Sequence, residues 1–417
     1  MPTNKITYYF DIVELALLCA VAFMIPVYVW SVPIIIAVLS ILFLMRPRNY
    51  AALKESAKTL GFWAMIFPFV LYLIGIAYSD DTRNAIQNTE TALSLLAFPL
   101  IATAFRQNSI TPKVSFVKMS LVAGVFAIMI YTLVNATLNY TETHNPDVFF
   151  YTQLIGSPHH HSYYVLFSLI ILTHSIISNH SKHSRLTIAL EVIMSLMLVV
   201  FIGLLSSKIS ILILVIYAIY LIVRLILSRT IPKWLSILIA ALTIASAPIL
   251  YSVPMVKYRL DCMVASIKAQ HNGIETAYTR NESTTIRIKC MGAAIDVISE
   301  NWLIGTGQGD VYAEMEVQMQ KRMGEQYKGT CSPHNQFLRS FASFGIMGLA
   351  SLLLLFFAML RTAIKSRNAT MIWWCIICLS FFCIEDMFCI INGVIFFCLF
   401  TGIMLLGNKN GQKGSQA

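Results

Sequence analysis

Charge is scarce in this chain of 417 residues: only 12% are Asp, Glu, Lys or Arg, while 57% are hydrophobic. So little polar surface cannot cover so much apolar surface in water, which excludes an ordinary soluble globular protein. Long polar sequence is scarce too, and residues 254–335 form the one extended stretch without a membrane-length apolar run. The first apolar run lacks a basic leader and a small-residue cleavage site, so a cleaved signal peptide is not expected.

What is present reads as an all-α polytopic membrane protein. Apolar runs near the roughly 20 residues a crossing helix needs place about twelve spans, at 11–30, 31–45, 61–78, 88–105, 115–137, 162–178, 187–205, 209–227, 235–253, 336–360, 371–387 and 389–407. Residues 1–253 then carry the first nine transmembrane helices. Residues 254–335 form a large loop with two amphipathic helices, 336–408 the last three spans, and 409–417 a tail.

Lysine and arginine mark one set of alternate connections (Arg46, Arg48, Lys54 and Lys58; Arg106 and Lys113; Lys182 and Arg185; Arg229 and Lys233; Arg361, Lys365 and Arg367), whereas 79–87 and 138–161 hold only Arg83. The positive-inside rule puts both termini in the cytoplasm and 254–335 outside. That loop is balanced, with nine basic and nine acidic residues, so the net charge of +10 belongs to the inner side and its anionic lipid. Nucleic-acid binding does not follow from it.

Nine cysteines do not form a disulfide scaffold. Cys19, Cys375, Cys378, Cys383, Cys389 and Cys398 lie in or beside apolar spans and read as small hydrophobes. Cys375 and Cys378 make a CxxC with no partner pair for a metal. Cys262, Cys290 and Cys331 lie in the outer loop, where one bridge among three is open.

Within the loop, Ser283–Trp302 has an amphipathic spacing at Ile286, Cys290, Ala293, Ala294, Val297 and Ile298. "GTGQGD" at 305–310 reads as a turn, since no strand precedes it and no Lys-Ser/Thr follows. A second helix over about Tyr312–Lys328 sets Met315, Met319 and Met323 on one stripe, most simply packed onto the membrane domain.

The stretch "CSPHNQFLRSFASFGIMGL" ends the loop. Ser332 as N-cap and Pro333 at the first helical position would put His334 in the first turn of the tenth span. There the unpaired N–H groups and the dipole keep an imidazole neutral and able to take a proton, and also welcome phosphate. "SPHHHSYY" (157–164) places consecutive histidines that do not converge on one ion, and reads as a span entrance lining an acceptor cleft.

His334-Asn335, nine residues, then Gly345-x-x-Gly348 resembles the motif of the O-antigen ligase/polymerase superfamily. The block "IR…AIDVISENWLIGTGQG" and the large loop between spans nine and ten resemble that family as well. The resemblance implies metal-independent, inverting glycosyl transfer at the periplasmic face of the bacterial inner membrane, with no cofactor. The partners it implies are an undecaprenyl-diphosphate-linked glycan as donor and the lipid A-core of lipopolysaccharide as acceptor. By the same resemblance His334 is the base that deprotonates the acceptor hydroxyl, and Arg287 engages the donor diphosphate, which suits a guanidinium fork.

Where the family carries an arginine after the seventh span, "GLLSSKISIL" has Lys208, which offers charge without bidentate geometry. Asn335, Glu385, Asp386 and Arg339 are supporting candidates: the two acids to orient His334 or pair with a cation, Arg339 on another helix face. A polymerase shares the motif, and transfer to protein hydroxyls is a further variant. A transporter or flippase would instead predict charges buried at mid-membrane and internal repeats.

Overall fold

The computed structural model describes residues 5–110, 113–179, 182–227, 232–272, 282–324 and 331–407. The tail at 409–417 and the end of the second loop helix, including Lys328, lie outside the described residues. In chain order the α-helices are α1 (Lys5–Val27), α2 (Val32–Leu44), α3 (Pro47–Ser56), α4 (Leu60–Ile76), α5 (Thr82–Ala92), α6 (Ser94–Gln107), α7 (Lys113–Thr143), α8 (Tyr151–Leu154) and α9 (Pro158–Asn179). They continue with α10 (Arg185–Leu205), α11 (Lys208–Leu227), α12 (Lys233–Ser252), α13 (Pro254–Asn272), α14 (Ser283–Glu300), α15 (Val311–Met323), α16 (Gln336–Lys365), α17 (Ala369–Phe382) and α18 (Ile391–Leu405). No strand occurs among the described residues. The chain is all-α, as its composition requires, and its apolar helices mark a multi-pass membrane protein.

Six helices (α1, α7, α9, α10, α11 and α16) are long and apolar enough to cross a membrane, or seven if α2 and α3, bent by 97°, form one broken span. The count of about twelve is therefore not reached by length and composition. α4, α17 and α18 are apolar but have only 17, 14 and 15 residues. The expected span 88–105 is divided at Leu93 into the end of polar α5 and the 14-residue α6. The loop also holds a helix more than its periodicity suggested, because α13 follows α12 with only Val253 between them.

The chain forms two units, residues 1–117 with 283–417, and residues 118–282. In the first, Asp11 and Glu14 of α1 are buried and meet Arg46 at 2.6 and 3.5 Å. Arg48 also reaches Asp11, and Ser109 donates to it from its backbone N–H at 2.8 Å. Arg46 and Arg48, read from sequence as free topological charge, are thus neutralised within the fold.

The turn at 301–310 is built into the same unit. α16 breaks at Gly345, whose φ of +59° and ψ of −151° suit glycine alone. The break frees backbone groups that the turn then satisfies: Thr306 N–H donates to Ala342 O (2.9 Å), Gly307 N–H to Ser343 O (3.0 Å) and Ile346 N–H to Trp302 O (2.9 Å). Gln308, 1% exposed, donates to Tyr72 O at 2.9 Å, and Asp310 accepts from the N–H groups of Asp80 and Asp81. A Cβ on Gly345 would lie 2.2 Å from Leu303 O, and one on Gly348 2.0 Å from Ser340 O. The Gly-x-x-Gly pair here is the hinge that admits the turn.

Met315 and Met319 are buried with Cys290, Ala293, Ala294, Val297 and Ala342, while Met323 is exposed. Most of the methionine stripe is therefore core. In the second unit α9 starts at Pro158, with His159 Nε2 bonded to Tyr151 Oη (3.0 Å) and His161 Nδ1 to Ser157 O (2.9 Å). These contacts order the histidines locally and leave their part in an acceptor cleft as an expectation.

Candidate functional site

α16 does not begin where the sequence suggested. Its N-cap is Asn335, whose Oδ1 accepts from the N–H groups of Phe337 (2.9 Å) and Leu338 (3.1 Å). Ser332 instead donates its hydroxyl to Asp386. The physical reason is competition: the amide of Asn335 satisfies two helix-start donors at once, and buried Asp386 captures Ser332. His334 consequently precedes the cap and lies outside the first turn. The argument from helix N–H groups and dipole does not reach its imidazole, and two donors proposed for phosphate are already occupied.

His334 has φ +46°, a left-handed conformation that costs a non-glycine residue about 1–2 kcal/mol. The flanking bonds fix it. His334 N–H reaches Ser332 Oγ at 3.4 Å, Asn335 N–H donates to Asp386 Oδ1 at 2.8 Å, and Asn335 Nδ2 donates to Cys383 O at 3.2 Å. Strain of this kind persists where neighbours over-determine the backbone, as they do in functional sites.

Three residues distant in sequence meet here. Glu385 Oε1 pairs with Arg287 at 2.6 Å, and Glu385 Oε2 lies 3.6 Å from His334 Nδ1. The carboxylate side chain is 8% exposed, Arg287 22% and His334 32%. An imidazole and a guanidinium thus share one buried acid while both keep a face to solvent.

Asp386 binds the residues on either side of His334, Ser332 and Asn335. Burial pushes its carboxyl above the usual range, opposed by Arg339, by the Ser332 hydroxyl, by the Asn335 N–H and by His334. Arg339 was expected to face elsewhere and only bridge spans. It is 1% exposed, its guanidinium 4.1 Å from the ring centre of Tyr312, and Nη2 donates to Gln308 O at 3.3 Å. The inserted turn meets it through Gln308 O, and its charge acts on the Asp386 carboxylate. Burial in turn pushes the Tyr312 phenol up.

Cys290 and Cys331 form a disulfide across 41 positions, which settles the choice among three and leaves Cys262 outside the bond. Cys290 is three residues after Arg287 and Cys331 three before His334. The bond therefore ties the arginine helix to the histidine turn.

Lys208 belongs to the other unit, where its ammonium pairs with Glu282. Ser266 Oγ donates to the second Glu282 oxygen at 3.0 Å, and Arg259 Nε donates to Ser206 O at 2.9 Å. Among the described residues no group of His, Cys, Asp and Glu could hold a metal ion.

The motif, the loop and these contacts point one way. Residues 192–353 match the O-antigen ligase family. The recognition made on His334-Asn335 and Gly345-x-x-Gly348 is borne out by that match. It supports a membrane glycosyltransferase of the O-antigen ligase and polymerase type, tied to lipopolysaccharide and using lipid-linked glycan and lipid substrates in general. No curated protein sequence matches the chain. The matched residues include Lys208, Arg287, His334 and both hinge glycines, whereas Glu385 and Asp386 lie beyond them.

Sequence reasoning missed Tyr312 as a partner of Arg339, gave Ser332 another role, and left the Cys290–Cys331 pairing open among three. The aromatic offered no periodic signal, and Ser332 looked like a cap.

Proposed function

We propose that the chain is an O-antigen ligase acting outside the inner membrane, moving a finished glycan from undecaprenyl diphosphate to lipid A-core. The observation that carries this is the Glu385 carboxylate between Arg287 and His334. His334 takes the proton of the acceptor hydroxyl while the oxygen attacks the anomeric carbon. The bond from that carbon to the diphosphate breaks, and its electron pair leaves with the diphosphate, whose growing charge Arg287 stabilises. One displacement inverts the anomeric centre. Glu385 orients the imidazole and holds the guanidinium until diphosphate competes for it. Fixing two membrane-anchored substrates in line contributes much of the acceleration.

In this reading no metal or soluble cofactor takes part. Lys208 is proposed as a cation for the donor in its own right, giving charge without a planar fork. The disulfide supports an outward placement of 283–335, since such bonds persist in oxidising compartments. A polymerase of the same superfamily is the second reading, favoured by the motif the two activities share.

The test is transfer from a polyprenyl-diphosphate-linked glycan to lipid A-core by protein reconstituted in vesicles. His334→Ala and Arg287→Ala, inserted at wild-type level, are expected to abolish transfer. Full activity in His334→Ala would refute the assignment of the base, and Lys208→Met at wild-type rate would remove Lys208 from the donor site.

A further inference from the structure

The unit of residues 118–282 contains a feature the transfer reaction does not use. α9, α10, α11 and α12 enclose an apolar cavity of about 80 Å³, lined by Leu169, Ile176, Val192, Leu196, Leu214 and Leu221 among others. Its polar lining is Thr173 and Tyr217, whose hydroxyls are hydrogen bonded to each other, and Ser195, whose hydroxyl donates to Glu191 O at 2.8 Å. In a bilayer such a space takes hydrocarbon and not water, because water needs two to four polar partners.

Basic side chains gather beside that polar lining. His174 follows Thr173, is 8% exposed, and has the rings of Tyr217 and Tyr220 centred 6.3 and 6.4 Å away. Arg224 Nη1 donates to Tyr220 Oη at 3.0 Å. Lys118 and Arg224 are both close enough to His174 for their charges to act on it. Among the described residues neither Lys118 nor Arg224 has a carboxylate partner. Glu191, the acid of this region, is engaged by Ser175 at 2.8 Å and by His183 at 3.3 Å.

Two cations that each act on the same buried histidine, and that have no carboxylate partner among the described residues, suit an anion. Lys118 lies near the start of α7, Arg224 in the last turn of α11 and His174 near the end of α9. These are the helix ends that lead to the lysine- and arginine-rich connections, the side where the bilayer carries its anionic headgroups. A phosphate beside an alkyl-sized cavity is the chemistry of a phospholipid.

We propose that residues 118–282 hold one anionic phospholipid of the surrounding bilayer, its phosphate against Lys118 and Arg224 and part of an acyl chain in the α9–α12 cavity. The full-length protein, purified in detergent and stripped of lipid, is titrated with dioleoyl phosphatidylglycerol or dioleoyl phosphatidylcholine and read by native mass spectrometry. Phosphatidylglycerol is expected to bind at least tenfold more tightly than phosphatidylcholine. The double substitution Lys118→Gln with Arg224→Gln should remove that preference, whereas Lys118→Arg with Arg224→Lys should keep it. Leu196→Trp, which fills the cavity and spares the charges, should weaken phosphatidylglycerol binding. Equal binding of the two lipids by the wild type, or an unchanged preference in Lys118→Gln/Arg224→Gln, would overturn the proposal. Undiminished binding in Leu196→Trp would do so too, and needs no charge to be removed.

Discussion

Replacing both Cys290 and Cys331 by serine tests whether the site is held by a covalent staple. Closing a loop across 41 positions removes denatured-state freedom equivalent to about 4 kcal/mol in the chain-entropy description. Cys290 and Cys331 are 2% and 1% exposed and pack with Met315, Met319 and Ala342, so the buried cluster keeps α14 and α15 together without the bond. The expected result is a folded protein with lowered thermal stability and a loosened approach of Arg287 to His334. If a third of that stabilisation keeps those two residues aligned, its loss is about 1.4 kcal/mol, a tenfold fall in transfer. Thermal unfolding in detergent and initial transfer rates in vesicles measure the two effects. Alkylation of the denatured, unreduced wild type reports the bond itself. Labelling of both thiols without reductant, or a serine pair with unchanged stability and rate, would refute the reasoning.

Glu385→Gln should lower the transfer rate by about 10- to 100-fold, because it removes the ion pairs that set His334 and Arg287. Glu385→Asp should recover part of it, and equal rates for the two variants would contradict the positioning role. Arg46→Ala leaves Glu14 buried without its ion-pair cation and Asp11 with Arg48 alone, and should cost about 3 kcal/mol, seen as lost folded yield. Gly345→Ala puts a Cβ 2.2 Å from Leu303 O at a positive φ and should prevent stable folding, checked by size-exclusion profile. Asp296 is held below its ordinary value by its hydrogen bond to Arg322, so its contribution is present at neutral pH and lost as pH falls through the folded value. Asp296→Asn should therefore flatten the acid loss of thermal stability, by no more than about 1 kcal/mol for so exposed a pair.

Apolar length and scarce charge made the helical class legible, and the spacing from His334 to Gly348 made the family legible. What spacing could not reveal is set by contacts between distant positions. Asn335 displaced Ser332 as the cap because Asp386, fifty-four positions beyond Ser332, drew the serine away. Arg339 is buried against Tyr312 and Gln308, residues some thirty positions earlier that local helical geometry does not foresee. The disulfide partner was undecidable from composition, since all three loop cysteines have the same chemistry. Arg46 and Arg48 followed the positive-inside pattern, yet their carboxylate partners sit in an apolar run where a charge looks incidental. Glu385 was singled out as a plausible partner, but only the fold shows it reaching both Arg287 and His334.

The central claim, a ligase working through His334, is tested most directly in a host lacking this gene and complemented with wild type or His334→Ala. Lipopolysaccharide is resolved on gels and the carrier-linked glycan pool is measured in parallel. The account predicts that His334→Ala, inserted at wild-type level, attaches no glycan to lipid A-core while finished polymer accumulates on the carrier. Single repeats still joined to core would contradict it in favour of polymerisation, and a wild-type ladder would remove His334 from the chemistry.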